Sequence, residues 1–174
     1  MPASPPLDDD TLRVLIPRLR RFARSLATDP AAADDLVQAT LERALTRGDT
    51  RRDEAALQPW LFSVLYRQFV DDHRRAARWK RIASLFATED AHRPPTPDQV
   101  FDARTSLSAF TRLPADQRAL LMLVSVEGLG YREAAEVLGI PIGTVMSRLS
   151  RARQALRAMD DEHEAAAPVL RALR

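Results

Sequence analysis

Between Gly143 and Met159 stand Arg148, Arg151, Arg153 and Arg157, with no acidic residue among them. A guanidinium is planar and permanently charged. Its fork of donors matches phosphate oxygens and the O6/N7 edge of guanine. Ser147, Ser150 and Gln154 lie in the same run, and Gln can bond adenine through both ends of its amide. At about 100° per residue, Ile142, Val145, Leu149, Ala152 and Leu156 fall together on one side of a helix. Ser147, Ser150, Arg151 and Gln154 fall opposite, and Arg148 and Arg153 flank them, placed for phosphates on the two groove walls. The pattern predicts a helix that packs by one face and reads the DNA major groove by the other. The plain alternative is a basic surface helix in a three-helix bundle.

A second basic segment lies upstream. Residues 60–81 hold six basic and two acidic side chains, while acidic residues gather at 8–10, 34–35 and 160–164. The net charge is only +2, so its distribution carries the information. Two separated basic segments suggest two contacts with a polyanion; two solvated helix faces are the bland reading. Lys80 is the single lysine among 26 basic residues. Genomic base composition accounts for that excess of Arg as well as bidentate phosphate binding does.

Such side chains need elements to hold them. The 174 residues are 45% apolar, enough for a core, but only 6% aromatic. Ala, Leu and Arg dominate, and these favour helix over strand. The fold expected is all-α: two small helical domains joined by a flexible linker. With no cysteine there are no disulfides or thiolate metal sites, and His73, His92 and His163 show no ligand spacing. No cofactor is expected. No run is long enough to span a membrane, and "MPASPPLDDD" lacks a leader pattern, so a soluble cytoplasmic protein is expected.

Residues 11–27 repeat apolar positions at helical spacing, and Pro17 marks either a kink or the true helix start. Asp29 and Pro30 read as N-cap and first residue of the next helix. Its buried stripe is expected at Leu36, Val37, Leu41, Ala44 and Leu45, leaving Asp34, Asp35, Gln38 and Glu42 outward. Residues 46–58 read as a loop with a helical turn at its end. Pro59 then opens a helix with Trp60, Leu61, Val64, Leu65 and Val70 on its apolar face. Residues 87–99, with three prolines, read as the linker. A second helical block starts near Val100. It contains "YREAAEVL", the break "GIP" and the basic helix, a helix-turn-helix pattern. Gly139 suits a left-handed C-terminal position and Pro141 a first helical position. The tail 161–174 either extends the last helix, folds back or is disordered.

Taken together, three stretches resemble the extracytoplasmic-function sigma factors, the compact class of bacterial RNA polymerase sigma subunits. "DPAAADDLVQATLERAL" is similar to region 2.2, "WLFSVLYRQFVDDHRRAAR" to regions 2.3 and 2.4, and "LPADQRALLMLVSVEGLGYREAAEVLGIPIGTVMSRLSRARQAL" to region 4. The last keeps the family's Gly-Thr-Val-x-Ser-Arg-x-x-Arg-Ala-Arg run at 143–153. The resemblance implies region 2 over 8–86, a linker over 87–99, region 4 over 100–160 and a tail beyond. It implies that region 2 binds the β′ clamp helices of core RNA polymerase and the promoter −10 element, and region 4 the β flap and the −35 element. An anti-sigma factor is the implied regulator, and catalysis belongs to the polymerase.

Carried onto this sequence, the family's clamp contacts fall on Asp34, Asp35, Gln38 and Glu42. The −10 candidates are Trp60, Arg67, Asp71, Arg74, Arg75 and Arg78, with Trp60 read as core ahead of stacking platform. The loop 47–58 would shelter a flipped base. The −35 candidates are Thr144, Met146, Ser147, Arg148, Ser150, Arg151, Arg153 and Gln154. Two positions depart from the family: Arg67 stands where Asn is common, and Met146 where a basic residue is common. Both put the promoter sequence in doubt, not the family. A stand-alone helix-turn-helix regulator is a second reading, and a sigma mimic that binds an anti-sigma factor a third. The five glycines leave little material for a phosphate loop or an enzyme site.

Overall fold

The computed structural model describes residues 9–27, 29–46, 57–86 and 105–172, with side chains described for 9–27, 29–46, 57–82 and 109–159. The expected linker 87–99 and most of the loop 47–58 lie outside the described residues. What is described is helical, with no strand. In chain order the helices are α1 (Asp9–Leu26), α2 (Pro30–Thr46), α3 (Leu57–Phe86), α4 (Thr105–Arg112), α5 (Ala115–Leu121), a π-helical turn (Met122–Val126), α6 (Tyr131–Leu138) and α7 (Ile142–Ala172).

Helix α1 starts at Asp9 and runs through Pro17, which stands exposed within it. Pro17 is therefore not the helix start. Leu15, Leu19, Phe22, Ala23 and Leu26 form its buried stripe. Asp29 caps α2 as its sequence predicts: the Ala32 N–H donates to Asp29 Oδ2 at 3.2 Å. The stripe of α2 is Ala33, Leu36, Val37, Thr40 and Ala44. Leu45, expected inside, is 67% exposed, because it lies about 100° around the helix from Ala44. Helix α3 starts two residues before Pro59, which a first turn tolerates because its N–H needs no intrahelical partner.

Helices α1, α2 and α3 pack on one another around Phe22 and Phe62, whose rings meet edge to face at 5.2 Å. Between α2 and α3 the buried Gln68 amide donates to the Ala39 carbonyl at 3.1 Å, and its oxygen meets the Thr40 hydroxyl at 3.1 Å. This pair fixes the register of the two helices. Helices α4, α5 and α6 pack on α7. The two groups do not stand apart. Helix α1 packs on α5, α3 packs on α6, and one continuous cluster of buried apolar side chains runs through both groups.

The helix-turn-helix takes the form the sequence predicts. Helix α6 covers Tyr131–Leu138 and ends on Gly139 at φ 65°, a left-handed conformation that costs glycine little. Pro141 stands just outside α7, where its carbonyl accepts the first amides, Thr144 and Val145. Val145, Leu149 and Ala152 are buried as expected, whereas Ile142 is 43% exposed, since the helix start reaches past the core. Helix α7 continues to Ala172, so the tail extends the last helix.

Candidate nucleic-acid interface

Three faces with distinct chemistry emerge from this frame. On α2, Asp34, Asp35, Gln38 and Glu42 are all exposed and fall within about a quarter-turn of arc. Asp34 lies 3.4 Å from Arg20 of α1, and the Gln38 amide donates to Glu42 at 3.0 Å. The face is acidic and polar. It borders an open cleft of about 1150 Å³ whose walls include Asp35 and Glu42, Phe69 and His73 of α3, and residues 112–115 at the junction of α4 and α5.

On α3, every residue from Asp71 to Ile82 is exposed. Arg67, Asp71, Arg74 and Arg78 align on one stripe, with Trp60 at its upstream end, over about 27 Å at the helical rise. Trp60 is half-buried against the core, so part of its ring serves packing. Arg75 sits to the side and pairs loosely with Asp72 at 3.7 Å. Four of the six −10 candidates thus share a single line with Trp60 at its head, and Arg75 is the one set off from it.

On α7, Ser147, Ser150, Arg151, Arg153, Gln154 and Met146 are exposed, and Thr144 is half-buried at the flank. The Ser147 hydroxyl donates to the Thr144 carbonyl at 3.1 Å, which leaves its lone pairs outward. Arg148 behaves differently from its neighbours. It is half-buried and bonded to Asp116 of α5 at 3.0 Å. The Tyr66 phenol of α3 feels this pair. Burial pushes its pKa above the usual value, Asp116 adds to the rise, and Arg148 opposes it.

Sequence reading missed three side chains that shape these faces: Asp116, Arg118 and Glu127. The Arg118 guanidinium donates to the Ser25 and Leu26 carbonyls at the end of α1 and to the Thr111 and Leu113 carbonyls beside α5. Glu127 is fully buried, and Arg18 and Arg21 of α1 close on it at 2.6 and 3.1 Å. Its only signal in sequence is a charge placed directly after an apolar run and before Gly128. Partners more than a hundred residues away leave no local trace. Among the described residues no cluster of His, Asp or Glu could hold a metal ion.

The C-terminal half, residues 107–156, matches the family model for sigma-70 region 4, and residues 12–66 match the model for the Sigma2 domain of PhyR. The chain is 37% identical over 159 residues to the ECF RNA polymerase sigma factor EcfG of Rhodopseudomonas palustris, covering 91% of this chain and 87% of that protein. It is 38% identical to the ECF sigma factor SigL of Mycobacterium tuberculosis over 80% of each chain. The chain belongs to the extracytoplasmic-function sigma factors. Its fold matches the sigma factor RpoE, solved in complex with the anti-sigma factor NepR from Bartonella quintana. The TM-score is 0.72 and the identity 33%, covering 87% of this chain and 95% of that one. The region 4 match contains the helix-turn-helix of α6 and α7, and the α2 and α3 faces lie in the N-terminal half. No described helix of this sigma factor is long and apolar enough to cross a membrane.

Proposed function

We propose that this chain directs core RNA polymerase to promoters by using the three faces in order along the sequence. Asp34, Asp35, Gln38 and Glu42 offer carboxylates and an amide to the basic side of the β′ clamp helices. The α3 stripe of Arg67, Asp71, Arg74 and Arg78, with Arg75 beside it, lies along the −10 DNA, and Trp60 supports the melted edge. On α7, Ser147, Arg151 and Gln154 read −35 bases in the major groove. Thr144, Met146, Ser150 and Arg153 line its walls, and Arg148 is braced by Asp116 at the edge. Region 4 also meets the β flap. The functional units are region 2 (8–86), a linker (87–99), region 4 (100–160) and the helical tail (161–174). The chain works in the cytoplasm without catalysis of its own.

The observation that carries this reading is the separation of charge. One exposed acidic face on α2 and two exposed cationic faces on α3 and α7 sit on a family-matched frame. An acidic surface repels DNA and suits a protein partner, whereas the arginine faces suit phosphate and guanine. An anti-sigma factor is the proposed regulator. The RpoE relative was solved with NepR, and a second structural relative, CnrH (27% identical, TM-score 0.60), with the cytosolic domain of CnrY.

Run-off transcription with bacterial core polymerase, on promoters with randomised −10 and −35 blocks, tests the proposal. Transcripts enriched for paired motifs are expected only when the protein is present. One observation favours a second reading. The N-terminal half matches the Sigma2 domain of PhyR, and a PhyR structure is described as an anti-anti-sigma factor complexed with NepR. A mimic of that kind would bind an anti-sigma factor but program no transcription, so the same assay separates the two. The retained arginines of α3 and α7 support the active form.

A further inference from the structure

We infer that Trp79, on the distal half of α3, makes a contact with duplex DNA that belongs to neither promoter element. Helix α3 changes character along its length. Its first half is anchored by Leu57, Leu61, Phe62 and Leu65, all buried, whereas every residue from Asp71 to Ile82 is exposed. The carboxylates stop at Asp72. From His73 to Phe86 the helix carries Arg74, Arg75, Arg78, Lys80 and Arg81 and no acid. In their midst the Trp79 indole is 66% exposed, and Ile82, one turn on, is 46% exposed. The ring contacts along α3 are Tyr66 with Phe69 and Phe69 with His73, and Trp79 joins neither.

At the usual helical angle, Arg81, Arg74, Arg78, Ile82, Arg75 and Trp79 follow one another across an arc of about 160°, and Lys80 lies behind it. Two apolar side chains are thus set among four guanidiniums on one face. Arg75 is held only loosely, 3.7 Å from Asp72. A protein partner would have to be acidic along this whole arc to match it. A duplex offers both chemistries at once. Its phosphates line each groove, and between them run apolar sugar edges. Arginines hold phosphates, and apolar side chains wedge against a groove floor or a base step. An indole has the flat apolar body for that place, and its one N–H can donate to an acceptor there.

The address of the contact rests on the reading of α3 given above, with Trp60 at the melted edge. From Trp60 to Trp79 the helix advances about 28 Å at its usual rise. Duplex advances about 3.4 Å per base pair, so the indole reaches up to about eight base pairs from the melted edge. DNA there is paired and lies between the −10 and −35 elements. The contact is therefore with backbone and groove, and it tolerates many sequences. It gives the spacer a hold of its own, independent of the bases read by α7.

The chain has two tryptophans, so Trp60→Phe leaves Trp79 as the sole indole of the full-length protein. Its fluorescence then reports this face directly. Mixed-sequence duplex at low salt should lower acrylamide quenching of Trp79 at least threefold, and added salt should reverse the protection. Single strand of the same length should protect it less. An indole as open to acrylamide with duplex as without overturns the contact. Stronger protection by single strand than by duplex makes the ring a platform for unpaired bases and also overturns it. Should Trp60→Phe unfold the protein, 5-fluorotryptophan in the parent chain gives Trp79 its own fluorine resonance, read by the same criteria. W79A in the parent should weaken duplex binding about tenfold with an unchanged salt slope, because an indole releases no counterion. A W79A variant that binds as tightly as the parent removes the contact. A photo-reactive amino acid in place of Trp79, in the complex with core polymerase and promoter, should attach to DNA upstream of the −10 element. Attachment to a polymerase subunit alone assigns the face to protein and overturns the proposal. The duplex titration uses neither polymerase nor promoter. A failed run-off assay with Trp79 still protected removes the promoter reading and the spacer address but leaves the contact with duplex. A working run-off assay with Trp79 unprotected removes the contact alone.

Discussion

Arg118 bonds four backbone carbonyls, two at the end of α1 and two beside α5. The end of a helix is its negative pole, where a cation is favoured and free carbonyls need donors. Burial pushes the guanidinium pKa below its usual value, yet a guanidinium keeps its charge at neutral pH. R118A should lower the unfolding free energy by about 2 kcal/mol in urea denaturation, because charged hydrogen bonds are lost and carbonyls are left unpaired. The arginines of α7 should divide by role. R151A should relax preference at one −35 position by about 1–3 kcal/mol in binding to single-base variants. R153A should weaken all sequences alike and reduce the salt slope by about one. Local pattern exposes which side chains face outward and hides which of them a distant partner holds. The outward arc of Ser147, Arg151 and Gln154 follows from helical spacing alone. The pairing of Arg148 with Asp116, thirty-two positions away, does not.

At the scale of elements, the caps and breaks were the most legible features. Asp29 and Gly139 each do what their residue type dictates, because their conformations are set within a few bonds. Gly139→Ala forces a side chain into a left-handed backbone at φ 65°, with open space around it. A loss of about 1 kcal/mol is expected, read as a lower thermal midpoint, with weaker −35 binding as the aim of α7 relaxes. The π-helical turn escaped because its residues, Met122–Val126, read as ordinary apolar helix. Periodicity cannot separate a π turn from an α turn over so short a run. Ile142 was misplaced because a wheel gives direction but not where the neighbouring helix ends, and Leu45 because it lies a further 100° around α2 from Ala44.

For the whole molecule, the sequence pointed to two groups of helices and was silent on how they meet. A proline-rich segment permits many arrangements, and the one adopted joins a shared apolar core with a carboxylate and two guanidiniums far apart in the chain. Because one apolar core runs through both groups, they should unfold as a unit. In a Trp79→Phe background, Trp60 fluorescence and far-ultraviolet circular dichroism should give coincident urea curves. Separated midpoints would show that the halves melt independently and that the shared core contributes little.

The π-helical turn also gives the chain one place where a residue can be spared. It amounts to one residue more than an α-helix would use between α5 and Gly128. Deleting exposed Ser125 would let the Glu127 N–H meet the Met122 carbonyl as an ordinary α-helical bond, with no loss of apolar content. The bulge would be lost, but the segments on either side of it would keep their directions. A residue deleted inside α6 or α7 has no bulge to draw on and would turn everything downstream by about 100°. Among relatives, a gap of one residue should therefore be tolerated at this turn and not within the helices that follow it.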